Sequence, residues 1–213
     1  MLGLTVPTLI SRIFTLIIAF TVHEFSHAFV ADRFGDSTPR SYGRLTLNPL
    51  KHLDILGSLM LLVAGFGWAK PVPINPAALR RHSKSAVMWV SLAGPASNLL
   101  MAILVAIPLR LNIVPNLQLT PFLPSLYSFL GTFFVINLVL MVFNLLPVAP
   151  LDGEKVLEFL LPTQWVDSYT RFKPYGPLVL LVIIFILPRL GVDVLNSIMN
   201  PIIMGLSKIL LGG

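Results

Sequence analysis

The sequence predicts an all-α integral membrane protein, a polytopic helical bundle with four to six membrane segments, one of them re-entrant, and a short β-like edge segment. Three observations carry that expectation. Of 213 residues, 55% are hydrophobic and 11% are charged, against roughly 25% charged residues in an ordinary soluble domain. The apolar residues fall into runs close to the ~20 residues a helix needs to cross hydrocarbon. Basic residues gather between those runs, where the positive-inside rule would place cytoplasmic loops.

The first run, about Leu9 to Ala31, is too long and too polar in its second half for a cleaved signal peptide, and no A-x-A-like site follows it. It is expected to remain in the mature chain as a spanning helix. The run from Ile55 to Trp68 is shorter and contains Gly57, Gly65 and Gly67, which favours a re-entrant or interfacial segment. Arg33, Arg40, Arg44 and Lys51 precede it, and Lys70, Arg80, Arg81 and Lys84 follow. Both flanks therefore belong on one side of the membrane.

Gly67 to Pro76, with prolines at 71, 73 and 76, cannot be helical and is expected to form the β-like edge. Ala86 to Leu109 and Ser128 to Pro147 are expected to span, joined by the weakly charged Arg110 to Leu126 loop. Parity then puts the N-terminus outside, the first helix running inward and the helix before Pro147 also ending inward. Leu178 to Leu187 lies between Pro177 and Pro188, and Gly191 to Leu211 is interrupted by Asp193, Asn200 and Pro201. Two spans or a hairpin over about 174–211 fit this pattern.

Fifteen Lys and Arg against nine Asp and Glu give a net charge of +6. Its position between apolar runs points to a lipid bilayer as partner and not to nucleic acid. There are no cysteines, which excludes disulfides and thiol catalysis and leaves any metal site to His, Asp and Glu.

His23-Glu24-Phe25-Ser26-His27 is an H-E-x-x-H sequence. On a helix its imidazoles share one face, with the glutamate beside them, which is zinc-ligand spacing. A bare match needs support from its setting. Here three ionisable side chains sit in an otherwise apolar helix, each costing on the order of 2.5 kcal/mol or more unless paired, hydrated or ligating. The competing reading is polar residues joining helices.

Two histidines leave zinc short of a protein ligand. Asp152, directly after a spanning helix and on the inward side, is the best candidate for a third; an Asp-Gly turn after two prolines is the alternative. Asn98 is expected to serve helix packing in a Gly94-Pro95-Ala-Ser-Asn98 stretch. His52 and His82, among basic loop residues, are expected at the surface.

HEFSHA at His23 to Ala28, AGPASN at Ala93 to Asn98 and NLLPVAPLDG at Asn144 to Gly153 together resemble the site-2 protease family of intramembrane metalloproteases. GRLTLNP at Gly43 to Pro49 and FGWAKPVPINP at Phe66 to Pro76 extend the likeness over roughly Leu9 to Leu161. The resemblance implies a catalytic core over about 9–161 within a single domain spanning 1–213. It implies one zinc ion held by His23, His27 and Asp152, with Glu24 catalytic, and it places Asn144 near the site as an oxyanion donor or substrate-orienting group.

The implied activity is hydrolysis of a peptide bond in or near a transmembrane segment of a membrane protein or peptide substrate, in regulated intramembrane proteolysis or the clearance of signal-peptide remnants. The expected location is the cell membrane, and the positive-inside parity above expects the site to open to the cytoplasm. A transporter binding a passing metal ion is the rival class; polar groups concentrated at one depth argue against it.

Overall fold

The computed structural model describes residues 5–57, 60, 67–118 and 120–212. Helix α1 (Val6–Arg33) starts where Thr5 accepts from the Thr8 amide and Pro7 occupies the first turn. After the short α2 (Thr38–Ser41) and α3 (Pro76–His82) come α4 (Ala86–Arg110) and α5 (Leu126–Asn144). Then follow α6 (Asp152–Leu160), α7 (Thr163–Phe172), α8 (Gly176–Leu181) and α9 (Val194–Leu211).

Among the described residues, five helical stretches are long and apolar enough to cross a membrane: α1, α4, α5, Thr163–Leu190 and α9. The protein is thus a multi-pass helical bundle. The C-terminal part supplies two of these stretches, and the first begins at Thr163, well before the apolar run at Leu178. Helix α7 carries Gln164, Asp167 and Arg171, which hid this extension from a reading based on hydropathy. In the other direction, α5 stops at Asn144 and not Pro147, because proline donates no amide and restricts the residue before it.

Most of the expected re-entrant segment, Ile55 to Trp68, lies outside the described residues. Its two ends meet. Leu53 and Ala69 form an isolated antiparallel bridge, and the Lys70 amide donates to the His52 carbonyl at 2.7 Å. The β-like edge amounts to this bridge and the extended chain after it; no longer strand occurs among the described residues.

Helix α1 buries Ser11, Thr15, Ala19, His23, His27 and Ala31, one residue in four along a single face. Small side chains on that face let α4 and α5 approach closely. The outer face exposes Phe14, Ile18 and Phe29. Polar groups inside and apolar ones outside is the arrangement a hydrocarbon solvent requires.

Two apolar clusters fix the bundle. Ala102, Ala106 and Leu109 of α4 pack with Phe134, Leu138, Met141 and Val142 of α5 and Met199 of α9. Ala31, Leu79, Ala86 and Val90 tie the end of α1 to α3 and the start of α4. Between these clusters α4 passes directly behind the two histidines.

Candidate metal centre

His23 and His27 stand one turn apart on the buried face of α1, with their Nε2 atoms 3.0 Å apart. Asp152 Oδ2 lies 3.2 Å from each. Asp152 is the first residue of α6, reached through a tight loop in which the Val148 amide donates to Leu146 O at 2.8 Å and the Leu151 amide to Val148 O at 2.9 Å. The loop passes so close to the next residue that a Cβ at Gly153 would collide with the carbonyls of Leu145 and Leu146. Glycine is the residue that permits this approach.

Backbone carbonyls set the protonation pattern of both rings. His27 Nδ1 lies 2.6 Å from the Val90 carbonyl, which can only accept, so Nδ1 carries the hydrogen. For His23 the chain of polarity is longer. Asn137 donates to the Phe133 carbonyl at 2.8 Å, its oxygen accepts from Asn98 Nδ2 at 2.9 Å, and the Asn98 oxygen is left to accept from His23 Nδ1 at 2.6 Å. In the neutral rings both Nε2 atoms therefore present lone pairs to each other and to a carboxylate oxygen.

Three acceptors facing one another in a buried site repel unless a cation or proton lies between them. The donor set of two imidazoles and one carboxylate suits zinc. Space is provided as well: a Cβ at Gly94 of α4 would collide with Nε2 of both histidines. The missing side chain keeps open the volume beside the donor atoms, so the residues present fit a metal ion.

Glu24, buried beside the histidines, is held through one oxygen. Its Oε2 accepts from the Val72 amide at 3.1 Å and lies 3.8 Å from Arg44 Nη2. Arg44 Nη2 also donates to the Lys70 carbonyl. One guanidinium thus links the glutamate to the extended segment after the bridge. Arg44 is 3% exposed; burial lowers the pKa of its guanidinium, and the nearby Glu24 opposes that effect.

His52 is fully buried, contrary to its expected surface position. Its Nε2 donates to the Thr46 carbonyl at 2.7 Å. Burial depresses its pKa, the Thr46 bond works the other way, and Arg44 adds to the depression. His82 is exposed, as expected.

His23, Glu24, His27 and Asp152 line a cleft of about 520 Å³ whose walls are largely apolar, including Phe20, Trp68, Leu140, Phe143 and Leu180. Asn144 lines it too, with Nδ2 donating to Leu140 O at 2.9 Å in its own helix. Residues beyond Leu161 support the aspartate loop. Tyr169 donates to the Pro147 carbonyl at 3.3 Å, Gly176 abuts Ala149, and Lys173 Nζ lies 2.5 Å from carboxylate oxygens of both Glu154 and Glu158.

Nothing in the sequence alone gives Gly94, Arg44, Val72 or Asn137 a site role, and the expected packing role of Asn98 is joined here by its bond to His23. Gly94 and Asn98 fall in the AGPASN stretch and Arg44 in GRLTLNP, so the motifs marked the regions without showing what these side chains touch.

A membrane bundle with a His-His-Asp cluster whose histidines are buried, and a second carboxylate in the same cleft, defines the architecture of a membrane metallopeptidase. Comparison with known proteins gives the family. Residues 120–187 match the model of peptidase family M50. YwhC of Bacillus subtilis, provisionally named a zinc metalloprotease, is 44% identical over 189 residues, covering 88% of this chain and 85% of its own. Rip2 of Mycolicibacterium smegmatis, named in the same way, is 37% identical over 191 residues, 84% of this chain and 70% of its own. MJ0611 of Methanocaldococcus jannaschii, another so named, is 35% identical over 143 residues, 66% of this chain and 65% of its own. No solved structure matches. The chain belongs to peptidase family M50, the site-2 protease family, and is a membrane zinc metallopeptidase.

Proposed function

We propose that this chain hydrolyses a peptide bond in or near a transmembrane segment of a membrane-protein substrate, with His23, His27 and Asp152 holding zinc and Glu24 acting as general base. The carrying observation is the convergence of three acceptor atoms whose histidine tautomers are set by backbone carbonyls, with Glu24 in the same cleft. When bound, zinc supplies Lewis acidity that polarises a carbonyl and makes water more acidic.

Glu24 takes a proton from the attacking water as its oxygen adds to the scissile carbonyl carbon, then passes that proton to the nitrogen as the C–N bond breaks. Arg44 and the Val72 amide hold Oε2, which leaves Oε1 for the proton. Asn144, on the cleft wall, donates to the oxyanion or orients the substrate.

A transmembrane helix shields its own carbonyls, so a substrate must unwind locally to be cut. The apolar cleft suits an extended apolar stretch, and the segment after Ala69 offers backbone groups to pair with it, limited by Pro71 and Pro73. The meeting of Leu53 with Ala69 supports both basic flanks lying on one side of the cell membrane, the cytoplasmic side, from which water reaches the site. Regulated intramembrane proteolysis and signal-peptide remnant clearance are the roles such a reaction serves.

The test uses purified zinc-loaded protein in vesicles with a model transmembrane substrate. Glu24→Gln should abolish cleavage with zinc retained. Cleavage at the unmodified rate would refute the general-base assignment.

A further inference from the structure

Among the described residues, three charged side chains besides the histidines line the cleft: Glu24, Asp152 and Lys155. Glu24 is engaged by Arg44 and the Val72 amide, and Asp152 converges with the two imidazoles as a metal ligand. Lys155 differs. It stands one turn beyond Asp152 on α6, half-buried, and no acid lies within ion-pair distance of it among the described residues. Glu158, the acid one turn further along α6, is taken by Lys173, as is Glu154. Helix α6 thus commits Asp152 to the histidine cluster and Glu154 and Glu158 to Lys173, and turns an unmatched cation toward the cleft.

A cation against apolar walls is poorly solvated until an anion meets it. The cleft holds the substrate, so that anion comes with the substrate.

We propose that Lys155 is a specificity-determining residue that receives a carboxylate of the substrate, from an acidic side chain near the cut or from a free C-terminus, on the side of the cleft formed by α6. The inference rests on the hydrolase reading above. It adds a substrate preference to it: an apolar stretch flanked on one side by a carboxylate.

The experiment measures kcat/KM in phosphatidylcholine vesicles for one transmembrane substrate carrying Asp, Asn or Lys at successive positions on each side of the cut. A second pair of substrates ends in a free or an amidated C-terminus, which separates the two sources of carboxylate. Wild type should favour the acid at one position, or the free terminus, by about tenfold over the neutral form. Lys155→Gln should erase that preference, and Lys155→Glu should turn it toward lysine, with zinc content equal to wild type in both.

An unchanged ranking in zinc-loaded Lys155→Glu overturns the proposal while leaving the hydrolase reading intact. So does a Lys155 effect that arises only when anionic lipid is added, since the ammonium would then be reading headgroups. Loss of zinc in both variants also overturns it, because Lys155 would then be supporting the fold of α6. Absence of any Glu24-dependent cleavage of the neutral substrate by wild type overturns both readings together.

Discussion

Asn98 of α4 accepts a hydrogen bond from His23 of α1 across 2.6 Å, and both residues are buried. The bond orients the ring and keeps the hydrogen on Nδ1, so that Nε2 is a lone pair toward Asp152. Asn98 is itself polarised by Asn137 and the Phe133 carbonyl, which extends the control of one imidazole across three helices.

Asn98→Ala should therefore weaken zinc binding by about 10- to 100-fold, as loss of a partner behind a ligand typically does. Competition with a chelator of known affinity measures it. Zinc affinity equal to wild type would reduce Asn98 to a packing role.

Gly94→Ala tests the space beside the donor atoms. The added methyl would meet Nε2 of both histidines, and overpacking of this kind costs about 1–3 kcal/mol. Zinc affinity should fall at least about tenfold while the protein stays helical and monodisperse in detergent. Gly131→Ala, where a Cβ meets nothing within 4 Å, is the control and should bind zinc like wild type.

Arg44 joins Glu24 to the Lys70 carbonyl. Arg44→Met should lower kcat about 10²-fold, the scale expected when a reacting group is displaced by about 1 Å, with zinc content unchanged. Arg44→Lys should recover only part, since one ammonium replaces a planar fork. A variant that loses zinc in proportion to activity would show that Arg44 supports the metal site and not the base.

Cysteines placed at Arg40 and at Arg80 should both be labelled from the same, cytoplasmic, side of sealed vesicles. The antiparallel meeting of Leu53 with Ala69 returns the chain to the level at which it left. Labelling from opposite faces would show that the segment between them crosses, and the parity argument for the sidedness of the cleft would fall.

The helical bundle was legible because hydropathy and length are local properties, and α1, α4 and α5 announce themselves by long apolar runs. The stretch starting at Thr163 was less so, since α7 mixes polar and apolar residues and becomes part of a long helix only by continuing into α8. His52 was misplaced for a related reason. Its basic neighbours suggested solvent, whereas its carbonyl pairs with Lys70 and its ring with Thr46, and those partners are six to eighteen positions away.

By itself the sequence determined that this is a membrane bundle, that His23 and His27 share a helix face with Glu24 beside them, and that Asp152 follows a helix of the right direction. Helical periodicity and hydropathy are enough for that, because each depends on residues close together in the chain. Only the tertiary structure decided that Asp152 reaches both histidines, that Gly94 clears the space beside them, which nitrogen of each ring is free, and that Arg44 ties the glutamate to the edge segment. These depend on how α1, α4, α5 and α6 sit against one another, a matter of distances of a few ångströms between residues tens of positions apart, which no local pattern encodes.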